Sequence, residues 1–128
     1  MNVLLDTSAY SALCRGNQPI LSVVQQSETI AVSAVVLGEL HSGFRAGNRC
    51  KENMTQLTHF LSKPSVRVLN VTEETALRYA EVDVYLRKRG RPIPRSDVWI
   101  AAAALEHGLQ LLTLDVHFRE IPLLLIQP

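Results

Sequence analysis

Four acidic residues stand where a fold can gather carboxylates: Asp6, Glu39, Asp97 and Asp115. Asp6 ends the apolar run Asn2-Val3-Leu4-Leu5, and Glu39 sits among Val36, Leu37 and Leu40. Asp97 opens an alanine-rich stretch, and Asp115 follows Leu109-Gln110-Leu111-Leu112. Carboxylates crowded into one cleft raise one another's pKa values and weaken the fold unless cations neutralise them. Hard oxygen donors of this kind suit Mg²⁺ or Mn²⁺. Two such ions about 3.5–4 Å apart activate a water, clamp a phosphodiester and stabilise its leaving oxygen, which is phosphoryl-transfer chemistry. Each acid alone also has a structural explanation. Asp6 suits a turn or a helix N-cap, Asp97 a helix start favoured by the dipole, Glu39 an exposed helix face and Asp115 a turn after a strand. Spacing by itself shows no convergence.

To bring the four together, strands must end side by side. Asn2–Leu5, Thr29–Val32, Val66–Val71, Leu109–Leu112 and Leu123–Ile126 are short apolar or β-branched runs that suit buried strands. Helical patterns lie between them. Asn17 caps a segment with Pro19 in its first turn, running to Gln26, and Ser33 caps a helix bearing Val36, Leu37, Leu40 and Phe44, which Gly43 and Gly47 break late. The next helix shows Met54, Leu57 and Leu61 and stops before Pro64. Thr72, Glu73 and Glu74 mark a helix start whose end is Leu86-Arg87-Lys88-Arg89-Gly90, with cations at the negative end of the dipole. Pro92-Ile93-Pro94 reads as a turn, and Ser96 to His107 as a helix closed by Gly108. Strands alternating with helices predict an α/β fold with a parallel sheet, and ligands of such sheets bind beyond the strands' carboxyl ends. Asp6, Glu39, Asp97 and Asp115 all fall in that region.

Composition narrows the choices. At 128 residues, 47% of them hydrophobic, the chain is expected to be one domain, residues 1–128, able to bury a core without disulfides. Thirteen basic and 12 acidic residues leave a net charge of +1, so a nucleic-acid surface has to be a local patch. Cys14 and Cys50 lack metal or redox spacing and are expected to be buried free thiols. The N-terminus has no basic leader region, and no apolar run approaches the roughly 20 residues of a membrane span, so a cytoplasmic protein is expected.

In order and spacing, Leu4-Leu5-Asp6-Thr7-Ser8, Gly38-Glu39-Leu40, Ser96-Asp97-Val98-Trp99-Ile100-Ala101-Ala102 and Leu112-Thr113-Leu114-Asp115-Val116-His117-Phe118 resemble the PIN family. The resemblance covers essentially the whole chain, and its length is similar to that of the VapC toxins of toxin–antitoxin pairs. It implies a three-layer sandwich with a central, mostly parallel sheet flanked by helices, and a Mg²⁺-dependent endoribonuclease, with Mn²⁺ a possible substitute. By resemblance, Asp6, Glu39 and Asp97 are the main metal-binding carboxylates and Asp115 a fourth acting through water, with Ser8 and Thr113 in the site. It further implies an RNA substrate (tRNA, rRNA or mRNA), a homodimer, and a VapB-type antitoxin whose C-terminal segment fills a groove. Tyr10, Leu13, Val23 and Val24 are candidates for that groove. The chain departs from many relatives in carrying Ser96, rather than asparagine, before the third acid.

Arg87, Lys88, Arg89, Arg91 and Arg95 place five cations within nine residues beside Asp97 and form the best candidate grip for an RNA backbone. Arg45, Arg49 and Lys51 are a weaker second candidate. His41, His59, His107 and His117 share no metal-ligand spacing and are expected to have surface or packing roles, and Trp99 to be core rather than a base platform. Receiver-like signalling domains and haloacid-dehalogenase-type phosphatases are set aside. The first carry a second acid beside the first and a late lysine, whereas Thr7 follows Asp6 here and no lysine follows Lys88; the second need an aspartate where Ser8 stands. The surviving alternative is a catalytically silent PIN fold that binds RNA or a partner.

Overall fold

Continuous apolar runs make the strands because parallel strands are covered on both faces and have no solvent side to carry polar residues. The computed structural model describes residues 1–122, 124, 126 and 127. The elements run β1 (Asn2–Leu5), α1 (Thr7–Cys14), α2 (Gln18–Gln26), β2 (Thr29–Ser33), α3 (Ala34–Ala46), α4 (Cys50–Leu61) and β3 (Val66–Leu69). They continue with α5 (Glu73–Lys88), α6 (Arg95–His107), β4 (Gln110–Leu112), a 3₁₀ turn (Val116–Glu120) and β5 (Ile126–Gln127). The expected third strand is shorter than its β-branched run, which continues to the exposed Val71. The expected fifth strand starts later, at Ile126, and Leu123 and Leu125 lie outside the described residues.

The strands form one sheet in the order β3-β2-β1-β4-β5, with every pairing parallel. Leu4 of β1 lies between Ala31 and Leu111 in register, and Val3, Leu4 and Leu5 are fully buried. The chain moves outward from β1 to β3 and then returns to the other side of β1 for β4. Parallel crossovers are right-handed, so this return carries α5 and α6 to the face opposite α1–α4 and completes three layers. The reversal point lies between β1 and β4, where open α/β sheets place their ligands.

Local chemistry sets the helix starts. The Asn17 side chain accepts from the Ile20 amide at 3.1 Å, and Ser33 from the Val36 amide at 3.2 Å. Thr72 and Thr75 cap reciprocally, and the Thr75 hydroxyl also donates to Glu106 Oε1 at 2.5 Å, tying the start of α5 to the end of α6. Gly108 ends α6 at φ 63°, a left-handed conformation that glycine takes without steric cost. Ala101, Ala102, Ala103 and Ala104 are all buried, so α6 lies close in where a larger side chain would hold it off. Both cysteines are free, but the expectation of buried thiols is corrected: Cys14, the last residue of α1, is exposed and Cys50, the first of α4, is half-buried. Helix ends leave side chains at the rim of the core. Among the described residues no helix is long and apolar enough to cross a membrane.

Candidate active site

Among the described residues four polar ones are buried, and two of them, Ser33 and Thr75, are accounted for by helix caps. The other two, Asp6 (2% exposed) and Thr113 (5%), meet where β1 and β4 end. There the Asp6 amide still donates to the Leu112 carbonyl at 3.2 Å, which holds the two strand ends together. Asp6 is the N-cap of α1: its Oδ1 accepts from the Ala9 amide at 2.8 Å and from the Ser8 hydroxyl at 2.7 Å. Its Oδ2 accepts from the Thr113 hydroxyl at 2.5 Å. The structural and the chemical readings of Asp6 are therefore compatible, because capping occupies one oxygen and the carboxylate is oriented by three groups, two on α1 and one just after β4.

The other acids join through hydroxyls and one imidazole. Glu39, on the second turn of α3, accepts from Thr7 Oγ1 at 2.6 Å and from Ser96 Oγ at 3.1 Å, so the neighbours of Asp6 and of Asp97 both point at it. His117 Nε2 lies 2.8 Å from Asp97 Oδ2, and its Nδ1 lies 3.6 Å from Asp115 Oδ1. The circuit closes where the Asp115 amide donates to Thr113 Oγ1 at 2.9 Å and the Leu114 amide to Ser8 Oγ at 3.1 Å. Asp6, Ser8, Glu39, Asp97, Thr113 and Asp115 are thus brought into one network, from β1–α1, α3, the start of α6 and the segment after β4. Three further members went unrecognised from sequence. Thr7 and Ser96 had no signal beyond adjacency to Asp6 and Asp97. The expected surface or packing role of His117 is corrected: its signal was its place two residues after Asp115, not its distance from other histidines.

Burial pushes the Asp6 carboxyl above its ordinary value despite the hydrogen bonds from Thr113, Ala9 and Ser8, and the charge of Asp115 adds to the rise. Asp97 is raised in the same way, first by burial, with His117 opposing and the charges of Glu39 and Asp115 adding. Among the described residues no lysine or arginine pairs with any of the four acids, and His117 is their one potential cation. A donor set of hard oxygens, raised by burial and mutual repulsion and short of positive charge, fits a divalent cation.

The basic segment sits at the same end of the α5–α6 pair as Asp97. Arg87 pairs with Asp83 at 2.9 Å, Arg91 with Glu120 at 3.6 Å, and the Arg89 guanidinium lies 5.4 Å from the Tyr85 ring centre. Among the described residues Lys88, Arg89 and Arg95 make no ion pair. In the second basic group Arg49 pairs with Glu52. Trp99 packs on Tyr79 with ring centres 4.2 Å apart. A groove of about 510 Å³ between α1, α2 and α4 is lined by Tyr10, Leu13, Leu21, Val24 and Phe60 among others. Val23 packs against the core, as Leu13 and Val24 do, but does not line this groove.

Residues 3–124 match the PIN domain family. Ribonuclease VapC5 of Mycobacterium tuberculosis is 30% identical over 115 residues, which are 90% of this chain and 84% of that protein. The structure of VapBC-1 from nontypeable Haemophilus influenzae is 28% identical with a TM-score of 0.88, over 99% of this chain and 97% of that one. VapBC2 from Rickettsia felis, bound to a DNA fragment from its promoter, is 25% identical with a TM-score of 0.86, over 99% and 98% of the two chains. The chain belongs to the PIN-domain family. Within it, the relatives it is similar to are VapC proteins, toxins of VapBC toxin–antitoxin systems.

The hydroxyls around Glu39 carry a testable consequence. Ser96→Ala or Thr7→Val removes one of its two donors and is expected to weaken divalent-ion binding about 10- to 100-fold, the usual effect of losing a group that orients a ligand. Isothermal titration checks this, with Ser96→Asn and Thr7→Ser restoring affinity; unchanged affinity in the first pair would show that Glu39 needs no such support.

Proposed function

We propose that this protein is the toxin of a VapBC-type pair, a Mg²⁺-dependent endoribonuclease. The observation that carries the reading is the closed network linking Asp6, Glu39, Asp97 and Asp115 at the sheet's reversal point, which no lysine or arginine among the described residues neutralises. Asp6, Glu39, Asp97 and Asp115 would hold Mg²⁺ or Mn²⁺, and an ion bound there would supply Lewis acidity. The chain's own groups do the rest. Ser8, Thr113 and the Ala9 amide fix the Asp6 carboxylate, and Thr7 and Ser96 fix Glu39, so that the oxygens are already in place for a cation. Water attacks phosphorus in line and gives one proton to a carboxylate; the P–O3′ bond breaks, and the departing 3′ oxygen takes up a proton from solvent. Products therefore carry a 5′-phosphate and a 3′-hydroxyl. End-group analysis of the fragments tests this, and 2′,3′-cyclic phosphate ends would mean that the RNA's own 2′-hydroxyl attacks and the acids do other work.

Lys88, Arg89 and Arg95, free of ion pairs, grip the RNA backbone, with Arg87 and Arg91 contributing once their surface pairs open. Each phosphate contact on a single strand contributes about 0.7 to the slope of log K against log salt. Arg95→Ala is expected to lower that slope by about this amount in binding measurements with a divalent-free, uncleaved RNA; an unaltered slope would remove Arg95 from the interface. The acidic site is controlled by a VapB-type antitoxin whose apolar segment occupies the groove lined by Tyr10, Leu13 and Val24. The protein acts in the cytoplasm as a homodimer.

A further inference from the structure

Among the described residues His117 is the one side-chain nitrogen donor beside the oxygens of the site. It stands on the 3₁₀ turn Val116–Glu120, next to Phe118, which is fully buried and anchors that turn to the core. The His117 ring leans on the Phe118 ring with centres 5.0 Å apart. One ring nitrogen faces Asp97 at 2.8 Å and the other Asp115 at 3.6 Å. One ligand atom from each of Asp97, Asp115 and His117 can be chosen so that all lie within 4.8 Å of one another. In an octahedral site with bonds of about 2.1 Å, neighbouring ligand atoms are about 3 Å apart and opposite ones about 4.2 Å, so small side-chain adjustments suffice.

Resting on the reading that these acids hold a divalent ion, we propose that His117 is itself a ligand. With Asp97 and Asp115 it makes a mixed imidazole–carboxylate set that selects Mn²⁺ and later first-row ions over Mg²⁺. Imidazole suits transition ions, whereas Mg²⁺ takes oxygen ligands and keeps its waters, so the nitrogen strengthens one class of ion and leaves the other nearly indifferent.

The test uses the antitoxin-free protein without RNA. Mn²⁺ and Mg²⁺ affinities are measured by isothermal titration for wild type, His117→Gln and Asp97→Asn, and spin-echo spectra of bound Mn²⁺ are recorded for nitrogen modulation from a ligated imidazole. Wild type is expected to show that modulation and to prefer Mn²⁺. His117→Gln should lose the modulation and about tenfold or more of its Mn²⁺ affinity with Mg²⁺ affinity changed less than about threefold, while Asp97→Asn weakens both ions. Wild-type Mn²⁺ without nitrogen modulation, or His117→Gln shifting both ions equally or neither, would overturn the ligand assignment and leave the carboxylate site standing. Wild type that binds neither ion would overturn both.

Discussion

Replacing Asp6 or Asp97 by asparagine will stop RNA cleavage and, in divalent-free buffer, raise the temperature at which the protein unfolds. The loss of rate follows from removing a ligand to an ion that contributes several kcal/mol of charge stabilisation, which is about 100-fold or more. The gain in stability follows from the pKa direction. Burial lifts both carboxyls above their ordinary value of 3.8, so the folded state binds their protons more tightly than the unfolded chain does. Stability from these groups therefore falls as pH rises from the ordinary value through the raised one, and the full penalty is present at higher pH. Asparagine has no charge to desolvate, and at Asp6 it still caps α1. The advantage of each variant over wild type should be largest at neutral pH and shrink as pH falls toward 3.8. Divalent ions should reverse the order: at a hundred times its Kd an ion stabilises wild type by about 2.7 kcal/mol and does little for the variants. Thermal melts with and without chelator check all of this, and variants that melt below wild type in chelator would refute the electrostatic argument.

Charging the groove will separate toxin from antitoxin. Leu13→Glu and Val24→Glu place a carboxylate among apolar side chains between α1, α2 and α4, and truncating or charging an interface anchor costs 2 kcal/mol or more, roughly 30-fold in Kd. Tyr10 gives an independent handle. Among the described residues its buried hydroxyl makes no hydrogen bond of good distance and angle, although the Cys14 thiol stands beside it, and burial first and that thiol second push its pKa up. An orphaned buried hydroxyl costs about 1–3 kcal/mol. Tyr10→Phe is thus expected to stabilise the free protein, and to weaken the complex if a partner segment bonds that hydroxyl. Titration of each variant with the antitoxin, alongside its melting temperature and its RNA cleavage, checks the idea. Unaltered antitoxin affinity in folded, active charge variants would place the antitoxin elsewhere.

Much of the fold was legible because its signals are local. A buried parallel strand needs an unbroken apolar run, and Asn2–Leu5 and Thr29–Val32 supply one; a helix start needs a side-chain acceptor, and Asn17, Ser33 and Thr72 supply it. Strand ends were less legible, since Val68 and Val71 are β-branched yet exposed at the sheet's edge strand or just past it. The cysteine expectation failed because preference for the interior says nothing about helix-end positions, which Cys14 and Cys50 occupy. In the candidate site the acid types and their order were readable, but convergence was not. The Thr113–Asp6 hydrogen bond joins residues 107 positions apart, and only the adjacency of β1 and β4 brings them together. The family resemblance supplied that step. Thr7, Ser96 and His117 stayed hidden because their role depends on which side chain they face, and hydroxyls beside acids are common in turns.

The most direct test is incubation of purified total tRNA and rRNA with the antitoxin-free protein, in Mg²⁺ and in EDTA, with Asp6→Asn and Asp97→Asn run in parallel. Discrete cuts by wild type in Mg²⁺, absent in EDTA and in both variants, are the predicted result. Intact RNA with a folded, ion-binding wild type, or cuts that survive EDTA or either substitution, would contradict the account and favour a PIN fold that binds RNA or a partner without cutting.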